Sequence, residues 1–198
     1  VVSLPIKKLI RNIRKYLKIS NAAGILRRYF VMNAFDGALT IFGVILGAFT
    51  AQITDFSLII SIGLATSVAV GISGIWGAFL TEAAERKREL TILEKALHRK
   101  LKGTDIEKAF SATTYMTAAV DGISPFVAAI VILVPFIIAP ADIDPHIVYY
   151  LSFVMAAAVF ILLGIYLGRI SKANILISAI KLLLAGAICA VVIILLSV

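Results

Sequence analysis

The stretch YFVMNAFDGALTIFGVILGAF, residues 29–49, is an apolar run with a single ionisable carboxylate, Asp36, seven residues in. A helix rising about 1.5 Å per residue needs roughly 20 apolar residues to cross a hydrocarbon core, and this run supplies them. A carboxylate near mid-membrane depth costs roughly 2.5–3.5 kcal/mol on insertion scales, so it is kept for a partner or a function. A second run, TTYMTAAVDGISPFVAAIVILVPF, residues 113–136, carries Asp121, again followed by glycine. In the first run Tyr29, Asn33, Asp36, Thr40, Gly43 and Gly47 recur at steps of three or four. In the second, Thr114, Thr117, Asp121, Ser124 and Ala128 do the same. Each set lies on one helical face. Two helices, each carrying one buried acid on a polar stripe, are therefore expected.

The composition sets the surroundings of these helices. With 198 residues, 61% hydrophobic, 15% charged and a mean hydropathy of +1.05, the chain is too apolar for a soluble domain. The reading is an all-α integral membrane protein with five transmembrane helices. The net charge of +8 lies mostly in the segments between apolar runs and not on the face of a folded domain, so no nucleic-acid partner is expected. Cys189 lies inside the last run and has no cysteine to pair with. The basic, amphipathic start does not have the pattern of a cleavable signal peptide, so insertion is expected to rely on the first span.

Residues 1–24 form the first region. From Leu4 to Lys18 the apolar residues Leu4, Ile6, Leu9, Ile10, Ile13 and Leu17 share one helical face and the lysines and arginines lie largely opposite. That pattern predicts an amphipathic helix in the bilayer interface, or one packed on another cytoplasmic segment. Residues 25–198 form the transmembrane domain, with spans expected at about 29–52, 56–81, 112–139, 147–168 and 174–197. Lysine and arginine lie before span one, between two and three and between four and five, and are absent from the other two connections. The positive-inside rule then places the N-terminus and residues 82–111 in the cytoplasm and the C-terminus outside. Residues 82–111 read as a short cytoplasmic helical hairpin that turns near Gly103, where Thr104 and Glu107 make a capping box. Gly43 with Gly47, and Gly164 with Gly168, form GxxxG pairs suited to close helix contact, within one subunit or between two.

Met32, Asn33 and Thr40 flank Asp36 at helical spacing. A thioether, an amide oxygen, a carboxylate and a hydroxyl on one face suit Fe²⁺ or Mn²⁺ better than Mg²⁺. Pro125 cannot donate to the carbonyl of Asp121, so the helix is expected to open there and leave a backbone oxygen beside the carboxylate. Lys181, the one basic residue well inside an apolar run, offers a structural ion pair to either acid, or a tuning charge on an ion path. Glu82, Glu85 and Glu89 fall within one helical arc; a metal, or Arg86 and Arg88, would relieve their repulsion. Neither CxxC, HExxH, a Walker loop nor Gly-x-Ser-x-Gly occurs, so no enzyme is expected.

RRYFVMNAFDGALTIFGVILGAFTA resembles the first span of the vacuolar iron transporter family, in which an acid and glycine precede a glycine-punctuated helix. GISGIWGAFLTEAAERKREL resembles its second span running into an acidic cytoplasmic helix, and the likeness extends over nearly the whole chain from Leu26. The resemblance implies a homodimer that exports Fe²⁺, and often Mn²⁺, from the cytoplasm in exchange for protons, with the metal as transported ion and no permanently bound cofactor. It implies Asp36 as the ion-path acid and Glu82, Glu85 and Glu89 at the start of a metal-collecting helix, here much reduced. Gly74 stands where many members carry methionine, and Asp121 is additional to the family's pattern. Two other readings remain open: a proton-coupled carrier of another solute, and a membrane scaffold whose Asp and Lys only fix helix packing.

Overall fold

The computed structural model describes residues 15–16, 19–20, 22–140 and 142–196. Among them the chain forms five long helices and no strand: α1 (Ala22–Thr50), α2 (Phe56–Leu97), α3 (Asp105–Ile138), α4 (Pro145–Ser171) and α5 (Ile175–Leu196). All five are long and apolar enough to cross a membrane, and the chain is a multi-pass all-α membrane protein. Most of the expected amphipathic segment Leu4–Lys18 lies outside the described residues.

Helix limits follow local chemistry. Neither glycine nor proline occurs from Ala78 to Lys102, and residues 82–97 are rich in good helix formers, so α2 runs on past residue 81 to Leu97. It stops where His98 takes a left-handed φ of 49° and Gly103 one of 79°. At the start of α3 the Thr104 hydroxyl accepts from the Glu107 N–H at 3.4 Å, while the Glu107 carboxylate accepts from the Gly103 N–H. Asp144 caps α4 by accepting from the His146 N–H at 2.9 Å, with Pro145 in the first turn, where its missing N–H costs nothing. One expectation is corrected here: α3 passes through both Pro125 and Pro135 without interruption. Membrane helices tolerate proline when neighbouring groups take up the freed carbonyls.

The chain divides into two compact units. The first takes in residues 1–30 and 73–122, and so holds the start of α1, the second half of α2 and the first half of α3. The second takes in residues 31–72 and 123–198. In the second unit Ala38, Ile41 and Ile45 of α1, Ile132, Leu133 and Phe136 of α3, and Val148, Ala156 and Phe160 of α4 form one buried cluster. Edge-on aromatic contacts tie it together, with Tyr149 5.2 Å from Phe49 and 5.1 Å from Phe136 between ring centroids. The polar groups within it are satisfied: the Tyr149 hydroxyl donates to the Ile53 carbonyl at 2.7 Å and the Ser152 hydroxyl to that of Ile132 at 2.6 Å.

Glycines set the closest approaches. A Cβ on Gly37 would lie 2.4 Å from Pro125 Cα, and one on Gly164 2.4 Å from Ala179 Cα. The Gly164/Gly168 pair therefore packs α4 on α5 within the chain. Gly47 has nothing within 4 Å of a Cβ position.

Candidate ion-path site

In the first unit Gly74, Ala78, Glu82 and Arg86 follow one another at four-residue steps along α2, and the last three are buried. Arg86 donates through Nε and Nη2 to Glu82 Oε2 at 3.2 and 3.1 Å, and through Nη1 to Glu89. Its guanidinium also lies 5.7 Å from the Phe110 ring centroid. The other Glu82 oxygen accepts from the Tyr29 hydroxyl at 3.2 Å. A carboxylate with only 7% of its side chain exposed is thus matched on both oxygens, as a buried charge must be. Glu85 instead faces outward, in a loose 3.7 Å pair with the exposed Arg88. Among the described residues no three His, Cys, Asp or Glu side chains gather as a metal-ligating group. The three glutamates of the expected collecting face are thus divided between two arginines.

Asp121 is buried, with 6% of its surface exposed, and stands opposite Gly74. A Cβ on Gly74 would come within 3.0 Å of its Oδ2 and 3.1 Å of its carbonyl oxygen. The carboxylate fills the space a side chain at position 74 would take. That carbonyl is the one Pro125 cannot serve. One and two turns back along α3, toward its N-terminal end, Thr117 and Thr113 are also buried. The Thr113 hydroxyl lies 2.7 Å from Ser20 Oγ and 2.9 Å from the Ala109 carbonyl. Among the described residues Thr117 Oγ1 is the buried side-chain polar atom that has no hydrogen-bond partner.

Asp36 differs from the expectation. It is exposed in the chain, not buried, and Met32, one turn away, is 55% exposed. The buried side of α1 carries Ala34, Ala38, Ile41 and Ile45, and a residue two positions from an inward-facing one is turned about 200° round the helix. Asn33 and Thr40 sit at the half-buried margins of this stripe. Lys181 is exposed on α5, and no ion pair among the described residues includes Lys181 or Asp36. The structural pair that the sequence allowed for Asp36 is therefore not formed. A lysine stem can instead carry its ammonium toward the interface.

Several residues of this region were not marked by the sequence as functional. Arg86 entered only as a possible neutraliser and Tyr29 as the first residue of the polar stripe in span one, yet both bind Glu82; the Tyr29 and Glu82 positions are joined only by the fold. The spacing Gly74, Ala78, Glu82, Arg86 was the available signal for a buried polar stripe. Ser20 and Thr113 had none, being far apart in sequence.

Five long apolar helices with one buried and one exposed acid among them define a polytopic membrane protein with ionisable groups in its spans. The chain is 37% identical over 164 residues to the uncharacterized protein MJ0645 of Methanocaldococcus jannaschii, covering 81% of this chain and 82% of that protein. It belongs to the family of that archaeal protein. No family model matches it.

Proposed function

We propose that this protein is a transporter of the vacuolar iron transporter type, exporting Fe²⁺ or Mn²⁺ from the cytoplasm in exchange for protons as a homodimer. The observation that carries this reading is the exposure of Asp36 together with Met32 on a membrane helix. A carboxylate turned to lipid is costly, and a second copy applied to the same face would cover it. Two copies of Met32, Asn33, Asp36 and Thr40 would then line one path, with soft and hard donors suited to a borderline divalent ion. Two facing carboxylates repel unless a cation or protons lie between them, which couples metal to proton movement. The orientation follows from the basic segments, with the N-terminus and the α2–α3 connection cytoplasmic and the C-terminus outside.

Glu82 and Glu89 would join in metal collection at the cytoplasmic mouth only by exchanging Arg86 for the ion, whereas exposed Glu85 is free to meet it first. Their saturation by Arg86 favours the second reading, a membrane scaffold, and Fe²⁺ or Mn²⁺ flux decides between the two. In proteoliposomes of the purified protein, Mn²⁺ uptake with opposite proton movement is expected, reduced about a hundredfold or more in Asp36→Asn. Absence of flux in the parent protein, or unchanged flux in Asp36→Asn, sinks the transporter reading. Lys181→Met is expected to shift the pH profile of flux and leave folding intact.

A further inference from the structure

We propose that the hydroxyls of Ser20, Thr113 and Thr117, linked by water, carry protons to and from Asp121 through the first unit. The inference rests on the proton-coupled reading above and names the groups that move the proton. Four observations support it. Ser20 lines a pocket of about 340 Å³ together with Arg28, Arg86 and Glu89, so the outer end of the series meets a space that water can occupy. Thr113 Oγ1 has both Ser20 Oγ and the Ala109 carbonyl within reach, at 2.7 and 2.9 Å, and its single proton can be given to either. Thr117 Oγ1 is wholly buried with neither donor nor acceptor satisfied by protein. Thr113, Thr117 and Asp121 stand at four-residue steps on α3, spanning about 12 Å.

Thr117 Oγ1 makes no direct hydrogen bond to either neighbour in the series, and short side chains four residues apart on a helix, about 6 Å along the axis, are suited to one bridging water. A buried water takes two to four hydrogen bonds from groups otherwise unsatisfied, and Thr117 is such a group. A proton passed along this series forms one O–H bond and breaks one at each hydroxyl or water, ending on the Asp121 carboxylate, with no change of oxidation state. The charged and titratable groups on the neighbouring helices near this series are Tyr29 of α1 and Glu82, Arg86 and Glu89 of α2, with Arg28 beside the Ser20 pocket. Both oxygens of Glu82 are taken up by Tyr29 and Arg86, which leaves the hydroxyls of α3 as the route.

Thr117→Val keeps side-chain shape and removes only the hydroxyl; Thr117→Ser restores it. After a pH jump on the full-length protein in detergent, protonation of Asp121 is followed by its infrared carboxyl band, assigned by its loss in Asp121→Asn. Thr117→Val is expected to slow that step about tenfold, the kinetic equivalent of one hydrogen bond, with Thr117→Ser close to the parent. An unchanged rate in Thr117→Val overturns the proposal. If Thr117→Val does not fold, Ser20→Ala takes its place: slowing supports the route and an unchanged rate overturns it. These kinetics need no metal. Slowing by these variants in a protein that moves no Mn²⁺ would therefore retain the proton route and reject the metal exporter.

Discussion

Asp121 and Gly74 show how a residue on one helix sets what another can hold. The sequence marks Asp121 as an acid in a span, but nothing local says that its oxygens lie 3.0 and 3.1 Å from where a Gly74 side chain would begin. Glycine in a helix interior costs about 1 kcal/mol relative to alanine, so Gly74→Ala would stabilise α2 if the space were open. The contact reverses that sign. Gly74→Ala is expected to destabilise by about 1–3 kcal/mol, the ordinary cost of overpacking, and to move the Asp121 infrared band, both readable on the purified protein. A more stable variant with an unmoved band would show that the two residues do not meet. Asp36 is the converse case: its charge and depth were legible, whereas its exposure depended on which side of α1 the other helices took.

Helix limits and contacts belong to the next scale. The apolar runs located all five helices, because length and hydropathy are local properties. The extension of α2 to Leu97 was readable from the absence of breakers, and the continuity of α3 through two prolines was not, since that depends on packing. Of the two GxxxG pairs, the structure closes Gly164 and Gly168 on α5 within the chain, while in the other pair Gly43 meets Ile193 of α5 at ordinary contact distance and Gly47 is open. Gly164→Ala would press a methyl to within 2.4 Å of Ala179 Cα and is expected to lower stability by about 3 kcal/mol, near the top of the overpacking range. Gly47→Ala, with open space around it, is expected to be neutral or stabilising by up to about 1 kcal/mol unless a partner copy uses that face. Denaturant titration in mixed micelles compares the two.

The start of α2 gives a pH prediction. The Asp55 carboxylate accepts from the Ser57 hydroxyl at 2.7 Å and from the Ser57 and Leu58 N–H groups at 2.9 and 3.4 Å. The Ser57 hydroxyl and then these backbone donors hold its pKa below the usual carboxylate range. A group whose pKa is lower in the folded state stabilises at pH above its unfolded value, near 3.9, and loses that contribution as pH falls through the folded value. The melting temperature of Asp55→Ala should therefore lie below the parent's at neutral pH, and the gap should close as the solution is made more acidic than the ordinary carboxylate range. A gap that persists at the most acidic pH would assign the loss to something other than the charged cap.

At the scale of the whole molecule, the exposed face bearing Met32 and Asp36 is the point on which the transport reading can be tested without transport. Met32→Cys in a Cys189→Ala background is expected to give a disulfide-linked dimer when oxidised in native membranes, whereas Ile180→Cys on the outer side of α5 is expected to stay monomeric. Cross-linking of neither, or of both equally, removes the support for a dimer closed over Asp36.

What the sequence by itself determined is the membrane class, the number and placement of spanning helices and the identity of the acids within them, because hydropathy, helix length and charge are carried residue by residue. The tertiary structure alone decided that Asp121 is buried against Gly74 while Asp36 is exposed, that Arg86 and not a metal-ready cluster holds Glu82 and Glu89, and that Ser20 meets Thr113. The physical reason is rotational: every apolar helix offers several sides that look alike in sequence, and only packing against particular neighbours chooses which of them is turned inward.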